Sequence, residues 1–327
     1  MNDSAAATTT AAKEAAADTH SDDRAGRSYA PHVALLLVQV TFGSLPVIGK
    51  VVLKVIPSFA VVGFRVGVTA LALLLVQALR GDLRLERRGD YWRFAVLSFF
   101  GVTLNQFLFI SGLSLTKASN TSLLAVTIPI FALTVGSVFG IEKLRGTAVF
   151  GILVAAAGVV LLIDPRNASF SSDTTLGDIL IILNSLSYGI YVVFSKDVIT
   201  RNGALKSIAW VFIFAALICV PVGAYSLSAI DLAGVGAIIW LALLYIALAA
   251  TLLPYLLNAW ALARVNPSLV AVYVYLQPLF GFITAVAFLG EKVTMWTIFA
   301  ATLIFSGVFL VTRKRRLAIA ESHITGG

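Results

Sequence analysis

The stretch "ILIILNSLSYGIYVVFSK" is apolar enough to be buried throughout, yet it carries Asn184, Ser187, Tyr188, Tyr191 and Ser195. Counted from Asn184, the steps are 3, 4, 7 and 11, so on a helix these side chains share one face. Amide, hydroxyl and phenol groups donate and accept hydrogen bonds, but they form no nucleophile–base pair. The stripe therefore reads either as the lining of a polar cavity or as hydrogen bonding between helices. Other stripes repeat the pattern. Thr251, Tyr255 and Asn258 follow at steps of 4 and 3. Tyr273 and Gln277 are four apart, with Gly281 and Thr284 continuing the face, and Thr103 precedes Gln106 by three. Arg65 is the one basic residue deep inside an apolar run. It reads as a functional charge or as a paired structural one.

Metal and redox chemistry find little here. Cys219 is the single cysteine, which excludes an intrachain disulfide and a thiolate metal site. Histidine occurs only at His20, His32 and His323, outside or at the edge of the apolar runs. No cofactor and no metal is expected. An enzyme would need convergent acids, histidines or an activated nucleophile at one depth, and the apolar runs do not supply them. No G-x-x-x-x-G-K-[ST] sequence points to ATP as a driving force.

The elements that hold these residues follow from composition. The 327 residues are 59% hydrophobic and 12% charged, with mean hydropathy +0.95. Soluble domains carry about 25% charged residues, so this is an integral membrane protein. Its apolar runs are continuous and about 20 residues long, the span of a helix rather than of a barrel strand. An all-α fold of ten transmembrane helices is expected, at roughly 32–53, 56–79, 91–115, 119–140, 145–164, 176–199, 204–227, 235–261, 267–289 and 294–313. Residues 1–30 are rich in Ala, Thr, Ser and Asp and read as a disordered tail with no signal-peptide core. Tyr91, Trp92 and Trp296 fall where interfacial aromatics belong.

The net charge of +8 suits membrane orientation better than nucleic-acid binding. With a cytoplasmic N-terminus, 18 Lys and Arg fall in inside segments and 5 in outside ones. Both termini are then cytoplasmic, in a multi-pass protein of the bacterial inner membrane.

A repeat runs through the chain. "IPIFALTVGSVFGIEK" (128–143) returns as "QPLFGFITAVAFLGEK" (277–292), an offset of 149 that pairs Pro129 with Pro278 and Glu142 with Glu291. The same offset pairs Gln106 with Tyr255 and Ser119 with Ser268; an offset of 146 pairs Lys50 with Lys196. Five spans per copy is an odd number, so the copies enter the membrane from opposite sides. The expected organisation is a tail (1–30), a first five-helix repeat (31–165), an external linker (166–175), a second repeat (176–313) and a basic cytoplasmic tail (314–327). The two prolines read as bends that frame a site. Lys50 and Lys196 read as snorkelling side chains or as anion-attracting gates. Glu142 and Glu291 read as turn-holding or proton-coupling groups.

Four pieces carry a family resemblance: "FGSLPVIGK", "GFRVGVTALALLL", "TKASNTSLLAVTIPIFALTVGSVFGIEKL" and "ARVNPSLVAVYVYLQPLFGFITAVAFLGEKVT". Their order and duplication over residues 32–313 resemble the EamA-type transporters of the drug/metabolite transporter superfamily. Phe42 stands where that family often has Trp. The resemblance implies a ten-helix exporter of small metabolites, amino acids or drugs. Its site is expected at mid-membrane among Phe42, Arg65, Gln106, Asn184, Ser187, Tyr188, Tyr191, Tyr255, Asn258, Tyr273 and Gln277. Gating or structural roles are expected for Lys50, Pro129, Glu142, Lys196, Pro278 and Glu291. A channel or lipid flippase is the alternative, without the charged rings or filter loop a channel uses. The expected partners are a small-molecule substrate and the lipid bilayer, and a homodimer stays open.

Overall fold

The computed structural model describes residues 29–81, 83–117, 120–121, 124–143, 145–163, 172–228, 231–280, 283 and 295–324. These residues are helical with short turns between, and no strand occurs among them. Six helices are long and apolar enough to cross a membrane: α1 (Tyr29–Val52), α2 (Ser58–Arg80), α3 (Arg88–Leu115), α6 (Thr174–Asn202), α7 (Ala204–Leu227) and α8 (Ala237–Leu262). Shorter apolar helices complete the described set: α4 (Thr127–Val138), α5 (Gly146–Leu161), α9 (Pro267–Phe280) and α10 (Ile298–Val311). α10 extends at both ends, to Met295 and Ile324.

Local sequence explains where helices stop. Pro57 fixes an extended backbone just before α2, and Gly81 closes that helix in the left-handed region, its N–H returned to the Gln77 carbonyl. Between α6 and α7 only Gly203 intervenes, with φ 80°. An L side chain is strained at such a φ, so glycine permits the abrupt reversal.

Leu71, Leu75, Leu79, Leu217, Ile238 and Leu241 point outward, the exterior that lipid solvates and water does not. The most extensive helix pairings are α5 with α10 and α2 with α7. Both depend on glycine. A Cβ on Gly63 would come within 2.6 Å of the Gly223 Cα. At the other crossing a Cβ on Gly151 would meet the Gly307 carbonyl at 2.9 Å, and one on Gly158 would meet the Ala300 carbonyl at 2.8 Å. Small residues let backbones approach where no hydrophobic force drives helices together.

At one end of the molecule, turns are tied by polar groups. Arg201 holds Asp90 through two nitrogens, at 2.7 and 3.0 Å, and Asn202 donates to the same carboxylate at 2.9 Å. The Asn202 carbonyl oxygen Oδ1 accepts the Glu86 N–H at 2.9 Å, and Trp210 donates to the Leu83 carbonyl at 2.8 Å. The α2–α3 connection is thereby joined to the α6–α7 turn. Tyr91 stacks edge-on against Trp210, while Trp92 is exposed.

The glycine crossings give a direct test. Gly307→Val forces a side chain against the Ala155 nitrogen and Gly151 carbonyl, both 2.5 Å from the Cβ position. Overpacking of this kind costs about 1–3 kcal/mol. The melting temperature in detergent should fall clearly, whereas Gly89→Ala, with no atom near its Cβ position, should leave it unchanged.

Candidate functional site

Two local irregularities build the centre of the molecule. α3 contains a π-helical turn at Phe99–Thr103, and α8 contains one at Leu248–Leu252. Both ends of these turns are 149 residues apart. A π-turn widens the helix and frees carbonyls from their usual partners. In lipid a freed carbonyl must find a donor within the protein, and here side chains supply it. Phe100 O accepts from Ser187 Oγ at 2.6 Å, and Gly101 O from Tyr255 Oη at 2.8 Å. Ala250 O accepts from Arg65 Nη2 at 3.3 Å, and Ala247 O from Thr69 Oγ1 at 3.0 Å. Gly101 also clears space for the Tyr191 ring, which a Cβ would meet at 2.2 Å.

Beside these turns is a cavity of about 80 Å³. Phe42, Arg65, Gln106, Asn184, Tyr188, Tyr255, Asn258 and Gln277 line it, brought together from six helices. Gln106 Nε2 donates to Tyr255 Oη at 3.0 Å, so two residues 149 apart touch. Tyr275 Oη donates to the Val126 carbonyl at 3.1 Å, again across 149 residues. Asn184 and Asn105 exchange bonds to each other's carbonyls, at 2.8 and 3.5 Å. Asn258 Nδ2 donates to Tyr188 Oη at 3.1 Å.

Three expected lining residues sit elsewhere. Ser187 is turned onto the α3 π-turn. Tyr191 packs beside Gly101, its ring centroid 6.2 Å from that of Tyr188. Tyr273 bonds to His32 Nδ1 at 2.5 Å, outside the cavity wall. Conversely, Gln39 and Asn105 line the cavity, and sequence reading passed over both. Gln39 Oε1 accepts from Gln277 Nε2 at 3.0 Å and is almost fully enclosed. A glutamine and an asparagine within apolar spans were themselves the available signal.

The lysines meet helix ends. Lys50 Nζ donates to Thr116 O at 2.6 Å, closing α3; Lys196 Nζ donates to Val265 O at 2.7 Å, just beyond α8. Thr116 and Val265 are themselves 149 apart. A cation at a helix C-terminus satisfies an orphan carbonyl and the helix dipole together. Glu142 serves the opposite kind of end. Its carboxylate accepts the Ser268 N–H at 3.1 Å and the Ser268 hydroxyl, at the N-terminus of α9. Glu291, with Ser119, Gly281 and Thr284, lies outside the described residues.

Pro129 sits differently from the expected mid-span bend. It is the third residue of α4, preceded by a turn at 125–126. A first-turn proline lacks only an N–H that would have no helical partner, so it starts the helix rather than bending it. Pro278 follows a 3-10 turn at Tyr273–Leu276 within α9. The departure from α-geometry therefore lies just before each proline.

A second, open basin of about 1160 Å³ lies towards the starts of α3, α5 and α9 and the ends of α4 and α6. Arg93, Lys143, Arg145 and Lys196 line it together with Glu142 and Asp197. Among the described residues no cluster of acids, cysteines and histidines could hold a metal ion.

A helical membrane protein with polar side chains gathered around a cavity between its helices has what a solute carrier of the bilayer requires. Comparison with known proteins gives the family: the model of the EamA-like transporter family matches residues 30–164 and again 175–313, and the chain belongs to that family. The family is one of membrane transporters, not enzymes. An uncharacterized transporter of Archaeoglobus fulgidus is 27% identical over 285 residues, covering 87% of this chain and 98% of that protein. The uncharacterized transporter YetK of Bacillus subtilis is 23% identical, covering 87% of each. Protein WALLS ARE THIN 1 of Arabidopsis thaliana is 25% identical, covering 89% and 85%. A solved crystal structure shares the fold with TM-score 0.70 at 20% identity, over 89% of this chain and 99% of that one.

The lysine caps predict a stability effect. Lys196→Met keeps length and apolar stem but strands the Val265 carbonyl, which should cost about 1–3 kcal/mol. Lys50→Met should behave alike through Thr116. Thermal unfolding of the two variants checks this; a melting temperature equal to the parent's would remove the capping role.

Proposed function

We propose that this chain is a secondary transporter that exports small metabolites, amino acids or drugs by alternating access. Ten helices form two inverted halves, 31–165 and 176–313, and both termini are cytoplasmic in the bacterial inner membrane. The observation that carries the reading is the central cavity with polar side chains in its lining, set beside contacts between residues 149 apart: Gln106 with Tyr255 and Val126 with Tyr275. Sequence mates touch each other only near a two-fold axis that exchanges the halves. Transporters built from inverted repeats bind substrate at such an interface. The α5–α10 crossing supports the same axis: exchanging residues by 149 turns the Gly151–Gly307 contact into Ala300–Gly158, and both are present.

The basin supports the orientation. Its lysines and arginines come from segments assigned to the cytoplasm by charge. Along α6 the sequence of environments runs from the cavity at Asn184 and Tyr188, past Tyr191, to the basin at Val193 and Lys196. Tyr188 and Tyr191 are thus the barrier between basin and cavity, and their withdrawal admits substrate from the cytoplasm.

Cysteine labelling tests the topology. With Cys219 replaced, a cysteine at position 145 should react with an impermeant reagent only from the cytoplasm, and one at position 170 only from outside; external labelling at 145 contradicts the inverted arrangement. Tyr188 tests the barrier. Tyr188→Ala should reduce transport with the protein still inserted, although an aromatic truncation also costs about 3–5 kcal/mol of stability. Tyr188→Phe retains the ring and loses the bond from Asn258. Loss in both variants at unchanged stability assigns the role to the hydroxyl; loss in Ala alone assigns it to the ring. Unchanged transport in both removes Tyr188 from the path.

A further inference from the structure

Two buried polar atoms of residues that line the central cavity have no partner among the described residues, and they are of opposite character. Arg65 is 1% exposed; its Nε donates to Thr251 Oγ1 at 2.9 Å and its Nη2 to Ala250 O at 3.3 Å, but Nη1 has no acceptor. Asn258 spends Nδ2 on Tyr188, and its Oδ1 has no donor. Both residues line the same cavity. No carboxylate lines it among the described residues, so a full positive charge stands there against neutral oxygens only. A buried guanidinium without a counter-charge is costly, and stranded donors and acceptors are rare inside proteins.

We infer that the cavity takes a compact monoanion: a small carboxylate whose oxygens meet Arg65 Nη1 and whose own hydroxyl or N–H donates to Asn258 Oδ1. This rests on the reading of the cavity as the transport site. Arg65 is anchored beside Thr251, and Asn258 stands seven residues on along α8, about 10 Å along the axis. With their anchoring positions that far apart along the helix, the acid and the donor belong at opposite ends of the molecule. A volume of about 80 Å³ excludes bulky ligands from this conformation. A dianion would bring a second charge that nothing in the cavity balances.

The test uses the purified full-length protein at constant ionic strength. Acetate, lactate and 3-hydroxybutyrate are each compared with the matching primary amide by thermal unfolding. At least one hydroxy acid should raise the melting temperature by about 2–4 °C at ten times its Kd, with its amide inactive. Arg65→Gln should abolish the shift. Should that variant fail to fold, Asn258→Asp decides: a carboxylate placed in the cavity should weaken the acid's affinity about tenfold or more. No shift with any acid, equal shifts with amides, or an unaltered affinity in the variants overturns the inference. Proteoliposome uptake separates this from the transport reading. Movement of amides or amines but not acids overturns the anion site and leaves transport standing. Acids that bind by Arg65 but are not moved leave the anion site standing and remove transport.

Discussion

A carbonyl released inside a bilayer has no water to turn to, and the centre of this protein is organised by that constraint. Each π-turn loosens its helix and presents oxygens to its neighbours. Ser187 and Tyr255 answer α3, and Arg65 and Thr69 answer α8. The donors that meet this demand also define the polar lining. A cavity wall and a backbone repair are, in Tyr255 and Arg65, the same side chain. The same logic operates at the ends, where Lys50 and Lys196 close helices and Glu142 opens one.

Much of this was legible in the residues. The apolar runs located the six long helices within a few residues, and the stripes of α6 and α8 put Asn184, Tyr188, Tyr255 and Asn258 on faces that meet. What periodicity alone does not carry is helix irregularity. A π-turn shifts the face by a fraction of a turn, and nothing in "FFGVT" or "LAATL" announces it. Ser187 accordingly serves a carbonyl of α3. Gln39 and Asn105 are hidden for another reason: neither has a second polar residue three or four positions away, so neither belongs to a dense stripe. Pro129 illustrates the limit of reading proline alone, since its effect depends on whether the helix begins before or at it.

Arg65 shows how little of an electrostatic environment is written locally. The sequence marks it as a deep charge without an evident acid. The fold gives it a hydroxyl, a carbonyl and an open edge. The hydroxyl is itself committed: Thr251 Oγ1 donates its one proton to the Ile246 carbonyl at 2.6 Å, which leaves only lone pairs for Arg65. The guanidinium is therefore held by an acceptor whose direction cannot reverse.

The joined turns at the basin end have a mechanical meaning. Asp90, Arg201, Asn202 and the Glu86 amide weld the α2–α3 connection to the α6–α7 turn, and α2 and α7 are further locked by their glycine crossing. Four helices thereby behave as a single chassis at that end. The α4–α5 connection and the α9 start, which also border the basin, are joined to each other by the Glu142–Ser268 clasp. Lys196, on the frame, reaches the Val265 carbonyl and the Asn266 side chain at the foot of that second wall, so a change in the basin's width must strain those bonds.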